Sequence, residues 1–355
     1  MDKDSIRKEI DTIDTQILNL LEERVARAKA IGRIKVEKGE DVFDSGRESL
    51  VFKRLLEKNA GRIPEDALKA IYREIISVSI ASEKKLVVSY LGPKATFTQQ
   101  AAVKSFGSSV DYRPMPSIPD VFASVDSGET NYGVIPIENS TDGAVIHSMD
   151  MLAESSLYIV GQIYIPIEQC LISRGTLESI RKVCSKDQAI GQSREWLRRH
   201  LPDAEIEYVD STTTAVKMAA ENPEIAAVGS VVAAEYYDVP VVECGIQDRK
   251  NNQTRFLVIG KKPMPKSDGV KYKTSIVMSI KHQPGALYGV LLPFGMNAIN
   301  LTRIESRPDR KTPWSYYFFV DFEGHWEDAN VKSAIEHLQG SIDMVKWLGS
   351  YPMGK

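Results

Sequence analysis

Residues 17–35 read ILNLLEERVARAKAIGRIK. Just upstream, Ile6, Ile10, Ile13, Ile17 and Leu20 recur every three or four residues, the spacing of one face of an α-helix. Continued, that face passes through Arg24, Ala28, Ile31 and Lys35. A single cation on an apolar stripe can snorkel, its stem packed and its head in water. Two such cations, roughly 16 Å apart on the same face at about 1.5 Å per residue, can instead bracket a small dianion.

The surrounding segment, residues 1–85, has helical grammar throughout. The first helix is expected over about residues 4–37, ending near Gly39. Asp44 and Ser45 suit the start of a second, which carries Leu50, Val51, Leu55 and Leu56 and stops near Gly61. Pro64 suits the first turn of a third. Its stripe is Leu68, Ile71, Ile75 and Ser79, then Ser82 or Glu83. Arg24, Lys35, Ser79 and Glu83 thus put polar groups where apolar ones are expected, and buried charges need counter-charges or an ionic ligand. VFDSGRE (42–48) adds Asp44, Arg47 and Glu48 at the start of the second helix. A first helix of more than thirty residues is too long for two shorter ones to cover, so a partner chain is expected.

The chain has 355 residues, 43% apolar and 26% charged, which fits two or three ordinary globular domains. A net charge of −3 offers no global field for nucleic acid or an anionic membrane. No apolar run reaches the roughly 18–20 residues of a membrane span. The start, MDKDS, leads into no signal core, so a cytoplasmic location is expected. Cys170, Cys184 and Cys244 match no metal spacing, and their odd number argues against a disulfide framework. Five histidines add no metal pattern, so neither metal nor cofactor is expected.

From Lys84 to about residue 262, strands and helices alternate, as in an α/β unit with mainly parallel sheets, and about 175 residues allow two lobes with a cleft. Strands are expected in LVVSYLG, NYGVIPIE, LYIVGQIYIPI, AEIEYV, AAVGS and TRFLVIG. Polar clusters fall at strand ends or helix starts: Thr96, then Asn139, Ser140 and Thr141 after Glu138, then Ser211 and Thr212, then Thr254 and Arg255. Each suits a cap or turn. Together they suit a ligand at the carboxyl ends of the strands. KKPMPKSDG (261–269) reads as a linker with little to pack. A βαββαβ pattern follows, the order of a ferredoxin-like α+β unit.

The helical constellation resembles the all-helical chorismate mutase family. The resemblance spans the whole segment and rests on Arg7, Arg24, Lys35, DSGRE and IISVSIASE. It implies that Arg7, Arg24 and Arg47 grip carboxylates and that Lys35 and Glu83 donate to the substrate's ether oxygen. Asp44 and Glu48 would hold its hydroxyl, with Ser79 in the same site. Where some members carry Gln, this chain has Glu83, which donates only when protonated, so a raised pKa is expected. Arg7 lies about 26 Å along the helix from Arg24 and would serve a partner's site.

Residues 86–262 resemble prephenate dehydratase, a two-lobed fold of the periplasmic-binding-protein kind, most specifically in IPIENS with Gly143 and in TRF. The resemblance makes Thr254 the essential donor to the leaving hydroxyl. Thr96, Asn139, Ser140, Thr141, Ser211, Thr212 and Arg255 become substrate residues, with a structural ion pair as the other reading of Arg255. Ala95 stands where the family commonly has Gly, so a slightly re-aimed turn is expected. In CSKDQAIGQS, Lys186, Asp187 and Ser193 replace family residues whose roles do not carry over.

HQPGALYGVL and INLTRIESRP resemble the phenylalanine-responsive ACT domain (272–355), implying an L-phenylalanine site at Gly285, Ala286, Leu287, Asn300, Leu301, Glu305, Ser306 and Arg307. The whole chain thus resembles bifunctional chorismate mutase–prephenate dehydratases: chorismate and prephenate as substrates, feedback by L-phenylalanine, a homodimer or homotetramer. Two other readings are an arogenate-preferring dehydratase and a non-catalytic amino-acid sensor.

Overall fold

The computed structural model describes residues 2–280, 283–309, 316–338 and 342–354. Helix α1 (Lys3–Lys38) starts at Asp2, whose carboxylate accepts from the Asp4 and Ser5 amides. It ends at Gly39, whose left-handed φ of 67° closes the last turn. Helices α2 (Ser45–Lys58) and α3 (Glu65–Glu83) follow. Pro64 caps α3 from outside rather than sitting in its first turn. Ile6, Ile10, Ile13, Ile17 and Leu20 are all exposed, so the first half of α1 is uncovered by its own chain.

The expected stripe of α3 is only half of its packing. Leu68 and Ser79 are buried, but Ile71 is exposed. Ile76 and Ile80 join a core with Val88, Tyr90, Ala101 and Phe106 of the next domain. The helix has two packed faces, one toward α1 and one toward the α/β unit, so a single stripe does not describe it.

The middle domain begins with β1 (Val87–Leu91), α4 (Phe97–Phe106), β2 (Asp111–Met115), α5 (Ile118–Ser127), β3 (Tyr132–Asn139), β4 (Gly143–Ala144), α6 (Ile146–Glu154) and β5 (Tyr158–Pro166). The chain then crosses into a second lobe: β6 (Cys170–Ile172), β7 (Lys182–Ser185), α7 (Asp187–Gln192), α8 (Arg194–His200), β8 (Glu205–Tyr208), α9 (Thr212–Glu221), β9 (Ile225–Gly229), α10 (Val231–Tyr236) and β10 (Val241–Cys244). It returns to the first lobe as β11 (Gln253–Gly260). The sheet orders are β2-β1-β3-β11-β5 and β10-β6-β9-β7-β8. The expectation of mainly parallel sheets needs correction, because both are mixed. β11 comes back antiparallel between β3 and β5, and β6 runs antiparallel to both its neighbours. The two crossing segments bond to each other, the Ile167 amide to the Asn252 carbonyl (2.8 Å) and the Ile246 amide to the Gln169 carbonyl (3.0 Å).

The reading against disulfides is also corrected. Cys170 and Cys244 are bonded, 74 residues apart, because β6 and β10 place them directly opposite each other. Cys184 is free and buried. The linker packs more than its composition implies. Met264 is buried in the core shared with the helical domain, and Lys266 pairs with Asp328 at 2.6 Å.

The third domain is β12 (Tyr272–Ile280), α11 (Ala286–Met296), β13 (Leu301–Pro308), β14 (Tyr316–Glu323), α12 (Ala329–His337) and β15 (Ile342–Pro352), in sheet order β13-β14-β12-β15. The stretch WSYYFFVDF (314–322) reads as the third strand of the βαββαβ pattern; its Trp314 and Ser315 lie outside the described residues, as does His282 of HQPGALYGVL. One sheet face packs Ile276, Met278, Val320 and Phe322 with Val290 and Phe294 of α11. The other, with Val277, Phe319, Leu348 and Tyr351, joins the core of the first lobe.

Candidate functional sites

In the helical domain, Arg24 turns inward from α1. It donates to Ser79 Oγ and, at 3.2 Å, to the Ile75 carbonyl. Lys35 Nζ donates to the Val42 carbonyl at 2.8 Å, which ties α1 to the loop before α2. Asp44 caps α2 by accepting from the Arg47 amide at 2.8 Å. Glu48 accepts from Arg73 Nη1 at 2.8 Å through one oxygen. Its other oxygen, Oε1, and Glu83 Oε2 are buried without a protein partner, the only carboxylate oxygens so placed among the described residues.

Burial pushes the Glu83 carboxyl above its ordinary range, against the opposing charges of Lys35 and Arg24. Burial does the same to Glu48, where Arg73 and Lys35 oppose the shift and Asp44 reinforces it. These couplings bring Arg24, Lys35, Asp44, Glu48, Ser79 and Glu83 into one locale, with two carboxyl oxygens that have no protein partner. The Arg47 side chain is exposed. Arg7 stands outside the group, mostly exposed and paired with Asp4 of its own first turn.

Between the lobes, Asn139 organises the site at the end of β3. Its Oδ1 accepts from the Thr141 and Asp142 amides (2.9 and 3.1 Å), so its other atom must be the NH₂ donor. That donor reaches Asn252 Oδ1 and Thr254 Oγ1, each at 2.8 Å. Thr254 therefore accepts from Asn139, which leaves its own O–H to donate to a ligand. Ser140 closes the strand end, receiving the Gln253 amide at 2.9 Å.

Thr96 and Ser211 cap α4 and α9, accepting from the Gln99 and Thr214 amides. Thr212 is the first residue of α9. These two helix starts come together. Ala95 packs into the core of the second lobe, and Thr213 Oγ1 donates to the Lys94 carbonyl at 3.3 Å. Ala95 holds a left-handed φ of 62°, so alanine accepts the turn a glycine would favour. Across the cleft, Gln188 and Gln192 of α7 both donate to Asp142 of the first lobe, Gln192 at 2.8 Å.

Arg255 requires a correction as a substrate residue. It points away from Thr254 and is 2% exposed, its guanidinium committed to Asp321, Tyr351, Gln162 and Glu138. The ion-pair reading is the one that fits.

In the third domain, Gly285 opens α11 with φ 78°, followed by buried Ala286 and exposed Leu287. Asn300 donates to Glu323 at 3.1 Å, and Leu301 packs on the domain core. Glu305 lies 3.7 Å from Arg303, and Arg307 pairs with Asp150 of α6 at 3.0 Å. Ser306 alternates to the exposed side. Glu305 and Arg307 thus turn to the face that meets the first lobe, rather than to the face Ser306 occupies.

Sequence reasoning missed Gly32 and Asp142. Gly32 faces Glu83, where an added Cβ would lie 2.7 Å from Glu83 Cβ and 3.1 Å from its Cα. The signal was present in AIGRIK: a glycine inside a helix costs about 1 kcal/mol against alanine and usually marks a close approach. Asp142 carried no local signal. Among the described residues, no His/Cys/Asp/Glu cluster suits a metal, and no helix is long and apolar enough to cross a membrane.

The chain resembles known proteins over nearly its full length. The type II chorismate mutase family model matches residues 6–84, and the prephenate dehydratase model matches residues 88–264. A bifunctional chorismate mutase/prephenate dehydratase of Aquifex aeolicus is 45% identical, over 98% of this chain and 97% of that one. The Arthrobacter aurescens prephenate dehydratase in complex with L-Phe is 29% identical with a TM-score of 0.70, over 76% of this chain and 90% of that one. GqqA, described as a novel type of quorum quenching acylase, is 25% identical with a TM-score of 0.69, over 76% of this chain and 98% of that one.

Proposed function

The chain belongs to the family of bifunctional chorismate mutase/prephenate dehydratases, and on that premise we propose how its residues divide the two reactions. It rearranges chorismate to prephenate in the helical domain and converts prephenate to phenylpyruvate in the α/β domain, two steps toward L-phenylalanine.

The rearrangement transfers no proton. The site must hold the folded conformer and stabilise charge developing on the ether oxygen. Arg24 and Arg47 grip carboxylates, Lys35 and protonated Glu83 donate to the ether oxygen, and Asp44 and Glu48 hold the hydroxyl. The unpartnered oxygens of Glu83 and Glu48 support this assignment. Arg7 of a partner completes the site, which is supported by its distance from Arg24 and by the uncovered apolar half of α1. The chain then works as a dimer or tetramer, in the cytoplasm.

In the second reaction carbon dioxide and the ring hydroxyl leave together, so the site must donate to that hydroxyl. The observation that carries this reading is the bond from Asn139 to Thr254, which turns the threonine into a directed donor. Thr96, Ser140, Thr141, Ser211 and Thr212 line the substrate's approach. In a coupled assay started with chorismate, Thr254→Ala is expected to accumulate prephenate without phenylpyruvate. Undiminished phenylpyruvate would reject the role.

We read the third domain as a ferredoxin-like ACT module that binds L-phenylalanine between paired copies. The βαββαβ order, the left-handed Gly285 at the start of α11, and exposed Leu287, Leu292, Met296 and Ile304 support it.

A further inference from the structure

Thr254 and Arg255 are neighbours on β11, and Asn139 and Glu138 are neighbours on β3. The strands pair Thr254 with Asn139 and Arg255 with Glu138. Successive side chains of a strand face opposite ways. Thr254 and Asn139 therefore bond on the cleft side, while Arg255 and Glu138 bond on the side covered by the third domain. The register shifts immediately after Arg255, and irregularities of this kind re-aim side chains beside active sites.

The covered side is a closed charge network. Arg255 Nη1 donates to Asp321 of β14 at 2.6 Å and to Glu138 at 3.2 Å. Its Nη2 donates to the Tyr351 hydroxyl of β15 at 2.8 Å. Ser275 of β12 ties Asp321 and Tyr351 together at 2.5 and 2.6 Å. Glu138 in turn accepts from Arg303 of β13 at 2.6 Å. Each of the four strands of the third-domain sheet thus supplies a group to a cluster whose centre is one residue away from the reacting threonine.

We propose that Arg255 is a positioning residue for dehydration, and that the chain Asp321–Arg255–Glu138–Arg303 transmits the state of the third domain to Thr254 and Asn139. The proposal rests on Thr254 being the hydroxyl donor. Its physical basis is that buried ion pairs tolerate little misfit, since an unpaired buried charge is strongly unfavourable. If β13 and β14 shift against the first lobe, Arg255 and Glu138 must follow or lose partners, and both residues carry the backbone of the site with them. Coupling of this kind needs a contiguous element that both sites bias, and here it is named group by group.

The test uses the full-length chain carrying Asp321→Asn, Arg303→Gln or Arg255→Lys. Dehydratase kcat and KM, inhibition by L-phenylalanine, and mutase activity are measured on the same preparations. Asp321→Asn and Arg255→Lys are expected to lower dehydratase kcat about tenfold with KM within about twofold, the signature of misplacement rather than lost binding. Arg303→Gln, at the edge of the network, is expected to weaken inhibition by L-phenylalanine at least about threefold with a smaller change in kcat. Mutase activity, which the network does not touch, reports that the protein is folded. Variants that melt earlier but keep dehydratase kcat and inhibition would show a purely structural cluster and overturn the proposal. If Asp321→Asn does not fold, Arg303→Gln decides alone. A Thr254→Ala enzyme with full dehydratase activity would instead remove the reading of the site on which the proposal stands.

Discussion

Phe43 and Phe106 face each other with ring centroids 4.6 Å apart, one in the mutase domain and the other in the dehydratase domain. Tyr132 flanks Phe43 at 5.3 Å, and Ser45 Oγ donates to the Val160 carbonyl at 2.8 Å. Phe43 lies between Val42, whose carbonyl holds Lys35, and Asp44, which caps α2. The loop that ties Lys35 and Asp44 of the proposed mutase site is therefore seated on the dehydratase lobe. Truncating a buried Phe to Ala costs about 3–5 kcal/mol. Phe43→Ala should lower mutase kcat/KM by about tenfold or more, equivalent to at least roughly 1.4 kcal/mol of transition-state stabilisation. Steady-state assays on protein shown to be folded by circular dichroism check this. Unchanged mutase kinetics would mean that the seat is irrelevant to the site.

Gly32 lets α1 approach α3 at Glu83. Gly32→Ala should raise intrinsic helix stability by about 1 kcal/mol. The new Cβ would also sit 2.7 Å from Glu83 Cβ, closer than packed carbons come. The clash is with the stem and backbone of Glu83, which cannot swing aside as a side-chain tip would. The expected result is a displaced Glu83 and a large loss of mutase activity, with dehydratase activity kept. An alanine variant with a higher melting temperature and normal mutase kinetics would contradict the close-approach argument.

The gathering of Arg24, Lys35, Ser79 and Glu83 was legible in the sequence because these four lie on two regular helices, where spacing converts directly to position. Arg24, Lys35, Ser79 and Glu83 needed only the helical period. The pairing of strands was not legible. Cys170 and Cys244 become neighbours, and the sheets become mixed, through contacts between distant stretches of chain. Arg255 shows the same limit. Alternation along TRF places it opposite Thr254, but its partner Asp321 lies 66 residues further on, in another domain. Ile76 and Ile80 escaped the stripe of α3 because a helix packed on two sides has no single apolar face.

Asp142 joins the two lobes of the dehydratase domain. Its Oδ2 accepts from Gln192 at 2.8 Å and from Gln188, and its amide bonds to Asn139, which orients Thr254. Asp142→Ala keeps the amide and removes only the link across the cleft. Hydrogen bonds to charged groups contribute about 1.5–3 kcal/mol, and the exposure of Asp142 argues for the low end or below. KM for prephenate should rise about threefold to tenfold while kcat moves less. A selective fall in kcat with KM unchanged would place Asp142 in the chemistry rather than in closure.

If Glu83 donates to the ether oxygen as proposed, the mutase reaction is pH-sensitive in a defined direction. Burial raises its carboxyl pKa, against Lys35 and Arg24, so the folded protein keeps the proton to higher pH than an unfolded chain does. Protonated, Glu83 can donate to the ether oxygen, the role proposed for it. Ionised, it presents only acceptors to developing negative charge. Mutase kcat/KM should therefore be highest on the acid side and fall as pH rises through the raised pKa. Linkage gives the same sign for stability: the contribution of Glu83 is full below the ordinary carboxylate range and is lost as pH rises through the folded value. Glu83→Gln is a donor at every pH and should flatten the profile above the ordinary carboxylate range. Profiles of wild type and variant over about pH 5 to 9, with dehydratase activity as the control for general inactivation, make the comparison. Parallel profiles in the two proteins would show that the proton on Glu83 has no part in the rearrangement.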